Sequence, residues 1–208
     1  MASSAASTAV PFIYIIGVPA AGKTTLIEDL AKRLRQDEPQ RNLTVIPEVA
    51  RELVSSAKLN PRDIQAGNKR AMDLQRRILS AQMAREEAAA NTADFVLSDR
   101  SGVDPIAFAT KYGGVLHGQA LLDLAAWGVL QRRMQRGFVI LCEPMPQWFV
   151  DDGVRVVPAS ATELSELHDT FCAVLTSQAI PFKILPTSAV EKEERLELVL
   201  RYLREQGN

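Results

Sequence analysis

Two cysteines in 208 residues give the chain little with which to build a disulfide framework, and Cys142 and Cys172 show no CxxC spacing. Neither cross-links nor a zinc site are indicated, and the pair reads as buried free thiols of a reducing cytosol. The two histidines, His117 and His168, lack partnered spacing, which removes histidine-based metal and triad chemistry and leaves them as surface residues. Charge of one sign is also scarce: 24 Lys+Arg face 25 Asp+Glu, a formal net charge of −1. Without a positive field, bulk nucleic-acid binding drops out as a main function. The longest apolar run, Val10 to Val18, is interrupted by Pro11 and contains Gly17. A spanning helix needs about 20 apolar residues, so no membrane span is expected. Residues Met1 to Ala9 hold no Arg or Lys and no long apolar centre, and they read as a short disordered tail of a cytoplasmic protein.

What is present is ordinary globular material, 47% hydrophobic and 24% charged, enough for one α/β domain over residues 10–206. Residues 10–16 form a β-branched and aromatic run that ends at glycine, the pattern of a strand buried on both faces. Strand and helix then alternate. Leu43–Ile46, Phe95–Leu97, Phe138–Leu141 and Phe182–Leu185 read as the next four strands, and the alternation makes the sheet parallel. A helix follows Gly22, a second starts near Val49, and Pro61 to about Asn91 reads as one long helix, kinked near Gly67, whose buried stripe is Ile64, Ala71, Leu74, Ile78 and Ala81. Ser160 and Glu163 form a capping box, and a last helix buries Leu196, Val199, Leu200 and Leu203. Residues 143–158, with three prolines and Asp151-Asp152-Gly153, read as a loop or lid.

Gly17-Val18-Pro19-Ala20-Ala21-Gly22-Lys23-Thr24 matches GxxxxGK[ST] and lies between a buried strand and an amphipathic helix, where phosphate binding requires it. Gly17, Ala20, Ala21, Gly22, Lys23, Thr24 and Thr25 are therefore the expected nucleotide-binding residues. The backbone N–H groups curl into an anion nest, Lys23 reaches the β- and γ-phosphates, and Thr24 offers a hydroxyl to Mg²⁺. Asp99 ends the third strand at the carboxyl edge of the sheet, where it is expected beside Thr24 as a Mg²⁺ partner, direct or through water, the alternative being an N-cap for the helix that follows. Arg100 reads as a phosphate or substrate ligand, or as the partner of an acid. Glu48 holds the equivalent edge position after the second strand. It is placed to accept a proton from a substrate hydroxyl, the alternative being a first-turn glutamate favoured by its helix dipole. Arg51, one turn on, is either a substrate ligand or a neutraliser of Glu48. Asp99-Arg100-Ser101-Gly102 formally fits DxxG, but Asn68-Lys69 lacks the aspartate that reads guanine, which argues against a classical GTPase.

Four blocks in order, Gly17–Thr25, Val45–Glu52, Ser98–Ser101 with Asp104, and Asp152–Arg155, make the chain resemble the NadR-like P-loop family, a small AAA-type domain that includes ribosylnicotinamide kinases and an animal channel-trafficking protein. The chain is similar also to deoxynucleoside kinases, whose Glu-Pro and acidic-Arg-Ser motifs take places comparable to Glu48 and Asp99-Arg100-Ser101. The resemblance implies a three-layer, adenylate-kinase-like P-loop NTPase fold with a five-stranded parallel sheet of order 2-3-1-4-5. It further implies Mg²⁺-dependent transfer of the γ-phosphate of ATP to a hydroxyl of a small nucleoside-like or riboside-like acceptor. Lys23, Glu48, Asp99 and the lid residue Arg155 would then be catalytic, with Glu48, Arg51, Arg100 and Asp104 around the acceptor. Because the family holds regulators as well as kinases, the alternative is a nucleotide-binding regulatory protein, gated by ATP or GTP and binding a partner or a phosphoinositide, without kinase activity.

Overall fold

A computed structural model describes residues 10–57, 64–148 and 160–206. Five strands, β1 (Phe12–Gly17), β2 (Leu43–Ile46), β3 (Phe95–Asp99), β4 (Phe138–Cys142) and β5 (Lys183–Leu185), form one sheet of order β2-β3-β1-β4-β5, parallel throughout. Every residue of β1, β3 and β4 is buried, as expected of strands covered on both faces. The register sets Ile15 opposite Asp99 and Gly17 opposite Cys142, so the carboxyl ends of the three central strands come out together. Ligands of open α/β sheets bind at that edge.

The helices are α1 (Lys23–Asp37), α2 (Val49–Ala57), α3 (Lys69–Ala90), α4 (Val103–Gly113), α5 (Val115–Leu122), α6 (Ala125–Arg136), α7 (Ala161–Ser177) and α8 (Lys192–Gln206). α1 packs against α8 and the sheet, and α3 packs with α2, α4 and α6. The expected long helix is broken. Gly67 adopts φ +60°, a left-handed conformation that ends the preceding turn, and Asn68 restarts the chain by accepting from Ala71 N–H at 3.0 Å. Ala81, expected in the buried stripe, is only half-buried, whereas Met72, Gln75, Leu79, Gln82 and Glu86 are buried instead. The Ser160 cap forms as read, its hydroxyl accepting from Glu163 N–H at 3.1 Å. His117 is exposed, but His168 is half-buried, and Cys172 is half-buried where Cys142 is fully buried. No helix among the described residues is long and apolar enough to cross a membrane.

Beneath the sheet edge, Glu86 is fully buried yet accepts from Tyr14 OH at 2.9 Å, Gln82 Nε2 at 3.0 Å and Arg133 at 3.0 Å. Burial pushes the Glu86 carboxyl pKa above its ordinary value, and these donors oppose that. Gln82 also donates to Ser98 Oγ at 3.0 Å, tying α3 to β3 directly below the site. A buried polar cluster with its partners in place fixes the register of the elements it joins.

Candidate active site

The loop after β1 turns back sharply at two left-handed positions, Ala20 (φ +58°) and Gly22 (φ +68°). Such turns aim successive N–H groups inward, which is the anion nest the sequence requires. Gly22 has a second constraint, since a Cβ there would lie 2.5 Å from the Trp148 ring. Lys23 opens α1 almost fully buried, and its ammonium donates to the Val18 carbonyl at 2.5 Å. Burial, with the neighbouring Arg100 charge, lowers its pKa from 10.5 to about 8.

That value gives a pH dependence with two opposite signs. Between pH 8 and 10.5 the unfolded chain holds the Lys23 proton and the folded chain does not, so this residue's contribution makes the folded protein more stable as pH rises. A triphosphate held by Lys23 would need the charged form, so its affinity should fall about tenfold per pH unit above 8, with proton uptake on binding. Calorimetry in buffers of different ionisation heat measures both. Affinity flat from pH 7 to about 10 would mean that Lys23 does not meet the phosphates.

Thr24, one residue on, is exposed at the loop mouth, and its hydroxyl donates to Asp99 Oδ2 at 3.1 Å. The sequence placed these two oxygens side by side, and the sheet register brings them there. A hydroxyl and a carboxylate are the hard oxygen donors that Mg²⁺ prefers. Among the described residues no three His, Cys, Asp or Glu side chains converge to hold a metal by themselves. A magnesium ion here would depend on phosphate oxygens and water to complete its shell, its usual habit beside nucleotides. Such an ion would neutralise charge on the transferring phosphate.

Glu48 and Arg100 meet at the centre. Arg100 has φ +81°, unusual for a residue with a Cβ, and its backbone N–H donates to Ile15 O, so the sheet sustains the conformation. Its guanidinium donates to Glu48 Oε1 at 2.6 Å, Asp104 Oδ1 at 2.9 Å and Gly17 O at 3.2 Å. Burial alone would raise the Glu48 carboxyl, but Arg100, Lys23 and Arg51 outweigh it and bring it to about 2. Glu48 is thus an ionised acceptor. Arg51 is exposed and lies 3.4 Å from Glu48 Oε2. Asp104 and Ser101 cap α4 reciprocally: Asp104 Oδ2 accepts from Ser101 N–H at 2.8 Å and Ser101 Oγ from Val103 N–H at 3.1 Å. Asp104 therefore holds Arg100 and the helix start together.

Two cavities flank this ion cluster. One, about 110 Å³, is the bowl of the P-loop from Pro19 to Thr25. The other, about 70 Å³, lies between α2, α3 and α4 with an apolar wall of Val54, Ile64, Ile78 and Phe108. Pro19, Glu48 and Arg100 line both. A third space of about 210 Å³ opens on the other side of the P-loop, between Trp148 and Lys192. There Arg195 lies 5.1 Å from the Trp148 ring and donates to Ala21 O at 2.8 Å.

Arg155, with Asp151, Asp152 and Gly153, lies outside the described residues, as do most of the expected lid and residues 1–9. Sequence reading passed over Trp148, Arg195, Gln75 and Gln82. The glutamines carried a legible signal, since both fall at the i, i+3/i+4, i+7 positions of the α3 stripe, where a polar residue calls for a reason.

A GxxxxGKT loop with left-handed turns, a buried lysine, a threonine–aspartate pair and a 2-3-1-4-5 parallel sheet define a P-loop fold of the kinase type. The chain belongs to an AAA domain family, whose model matches residues 12–195. Among solved structures it is similar to NadR protein in complex with NR (TM-score 0.74, 19% identity), covering 94% of this chain and 51% of that one. It is similar also to deoxyadenosine kinase from M. mycoides with bound dATP (TM-score 0.63, 16% identity), covering 93% and 99%. A third likeness is shikimate kinase from Acinetobacter baumannii in complex with shikimate (TM-score 0.53, 16% identity), covering 95% and 94%. The chain spans about half the length of the NadR chains it matches. No curated protein matches it.

Proposed function

We propose that the protein is a small-molecule kinase that transfers the γ-phosphate of ATP to a hydroxyl of a nucleoside-like or riboside-like metabolite. The observation that carries this reading is the pair of cavities sharing Pro19, Glu48 and Arg100. One has the chemistry of a polyphosphate site and the other an apolar wall for an organic acceptor, and the shared boundary is where a phosphoryl group would cross. The solved structures with this fold hold, by their names, NR, dATP or shikimate, which is in keeping with an organic acceptor and a nucleotide as ligands.

In this reading the P-loop N–H groups and Lys23 hold the phosphates, and the Trp148 face beside the P-loop supports the base or ribose of ATP. Glu48 accepts the hydrogen bond of the acceptor hydroxyl and orients its oxygen in line with the γ-phosphorus. The new P–O bond forms as the bond from the γ-phosphorus to its leaving oxygen breaks, the hydroxyl proton passes to Glu48, and ADP departs. Arg100 keeps Glu48 ionised until the hydroxyl arrives and stands at the boundary where charge develops. Thr24 and Asp99 are the residues that would hold Mg²⁺, and Arg155 would cover the phosphate from the lid.

Incubating the protein with Mg·ATP and a panel of nucleosides, ribosides, sugars and vitamins tests the reading through ADP release above the no-acceptor background. Acceptor-dependent release supports a kinase. Tight Mg·ATP binding with no release for any acceptor would point instead to a nucleotide-gated regulator. Asp99→Asn should impair Mg²⁺-dependent turnover more than nucleotide binding, because the amide keeps the size and loses the charge. An unchanged Mg²⁺ titration would reduce Asp99 to the partner of Thr24.

A further inference from the structure

The glycine just before the P-loop lysine is also the loosest joint of the loop. Gly22 sits at φ +68° and ψ 19°, a left-handed conformation, and a Cβ there would run into the Trp148 ring, so glycine is required. The same lack of a Cβ lets the peptide before it rotate at low cost. That peptide joins Ala21 to Gly22. Across a planar trans peptide the carbonyl and the following N–H point in opposite directions. One rotation aims the Gly22 N–H at the phosphate bowl, and the opposite one aims the Ala21 carbonyl there. An amide hydrogen attracts a phosphate oxygen, and a carbonyl oxygen repels it.

Arg195 removes the choice. From α8 it donates through Nη2 to Ala21 O at 2.8 Å and through Nη1 to Ala189 O at 3.3 Å, with its guanidinium 5.1 Å from the Trp148 ring. Only 3% exposed, it forms no ion pair with a carboxylate among the described residues. A buried cation without a countercharge destabilises a fold, and this one directs its donors to backbone carbonyls instead. It lines the space behind the loop with Trp148 and Lys192, and it does not line the bowl. The Ala21 carbonyl is thus drawn to the back of the loop, which leaves the Gly22 N–H facing the bowl. The Gly22 carbonyl in turn accepts from Leu26 N–H at 3.1 Å, so both peptides that flank the glycine are held.

We infer that Arg195 is a positioning residue for the phosphate site: by holding the Ala21 carbonyl it keeps the Gly22 N–H turned toward the bowl before any ligand arrives. This role rests on the phosphate-binding half of the kinase reading and adds how the free loop keeps its binding shape. Donors already in place need no rearrangement when the anion binds, so their orientation is read out as affinity. A lysine in place of Arg195 would keep the charge and lose the planar fork that reaches two carbonyls at once.

The test uses inorganic tripolyphosphate with Mg²⁺, which carries no base to meet Trp148 and so reports the loop. The parent, Arg195→Met and Arg195→Lys are compared by titration calorimetry, and the glycine amides are followed by NMR in protein made with isotope-labelled glycine. In the parent the Gly22 amide proton should move downfield on saturation, as a donor to a phosphate oxygen does. Arg195→Met should raise the tripolyphosphate Kd by about 5- to 50-fold, the scale of a lost hydrogen bond from a charged group. In the free variant the Gly22 resonance should shift or broaden while that of Gly118, in α5, stays in place. Arg195→Lys should show the same Gly22 change with a melting temperature nearer the parent's, and it carries the comparison if Arg195→Met does not fold. A parent-like Kd or an unmoved Gly22 resonance in the folded variants overturns the inference. Full recovery of affinity in Arg195→Lys overturns it too, because the effect then belongs to charge. No acceptor-dependent ADP release, with tripolyphosphate and Mg·ATP still bound, overturns the kinase reading and leaves the role of Arg195 standing, whereas a parent that binds neither overturns both.

Discussion

Lys23→Ala is expected to raise the dissociation constant for Mg·ATP by about 10- to 100-fold, the scale of a lost hydrogen bond from a charged group, while the protein stays folded. The structure gives both halves of that result. In the free protein the ammonium rests on the Val18 carbonyl, a neutral partner, in a site whose burial and Arg100 neighbour bring its pKa to about 8. A depressed lysine pKa means that folding disfavours the charged form, so at neutral pH the ammonium is a burden on the fold that only an anionic ligand relieves. Removing it loses some stem packing and removes that burden, and the melting temperature should stay near the parent's. Titration calorimetry with thermal melting decides the matter. Equal ATP affinity in two folded proteins would refute the phosphate-nest assignment.

Glu48→Gln should cost roughly 10²–10⁴-fold in kcat with the correct acceptor at saturation, the usual scale of general acid–base assistance. Mg·ATP affinity should move little, because in the proposed site the phosphates would meet Lys23 and the loop N–H groups rather than Glu48. The same change also weakens the contact with Arg100, and removing one member of a buried ion pair costs about 3–5 kcal/mol when the other charge is stranded. Here Arg100 keeps Asp104 and the Gly17 carbonyl, so the stability loss should be well below that figure. The two effects separate by measurement: kcat reports the hydroxyl, the melting temperature reports Arg100. A parent-like kcat at saturating acceptor would return Glu48 to the role of a first-turn residue and leave Asp99, beside Thr24, and Asp104, in the acceptor cavity, as the carboxylates to test next.

The parts of this site that were legible from sequence are those with short, local causes. Gly17 to Thr24 states its own geometry, because a nest needs left-handed positions and a helix start at fixed spacing. Asp99 followed from an apolar strand ending in an acid, since a parallel sheet brings such ends to one edge. Gly67 was less legible: a glycine in a helical pattern signals a kink or a stop, and the cap at Asn68 decides for a stop. Arg100 could be named but not oriented, because its partners Glu48 and Gly17 lie far from it in the chain and meet it only through strand order. Arg195 was invisible for the same reason, being one arginine in a charged terminal helix until α8 is laid against the P-loop. Gln75 and Gln82 were readable in principle and lost in practice, since a stripe defined by its apolar members skips the polar ones that matter.

The bond from Arg195 to the Ala21 carbonyl has a consequence for biosynthesis. One carbonyl of the P-loop is held by a side chain that is made 174 residues after it. β1, likewise, is flanked by β3 and β4, so its neighbours on both sides are synthesised after it. Contacts this distant in sequence form late. During synthesis the P-loop and β1 therefore precede both of the strands that flank β1 and the arginine that holds the loop, and the loop acquires its final shape only when α8 docks.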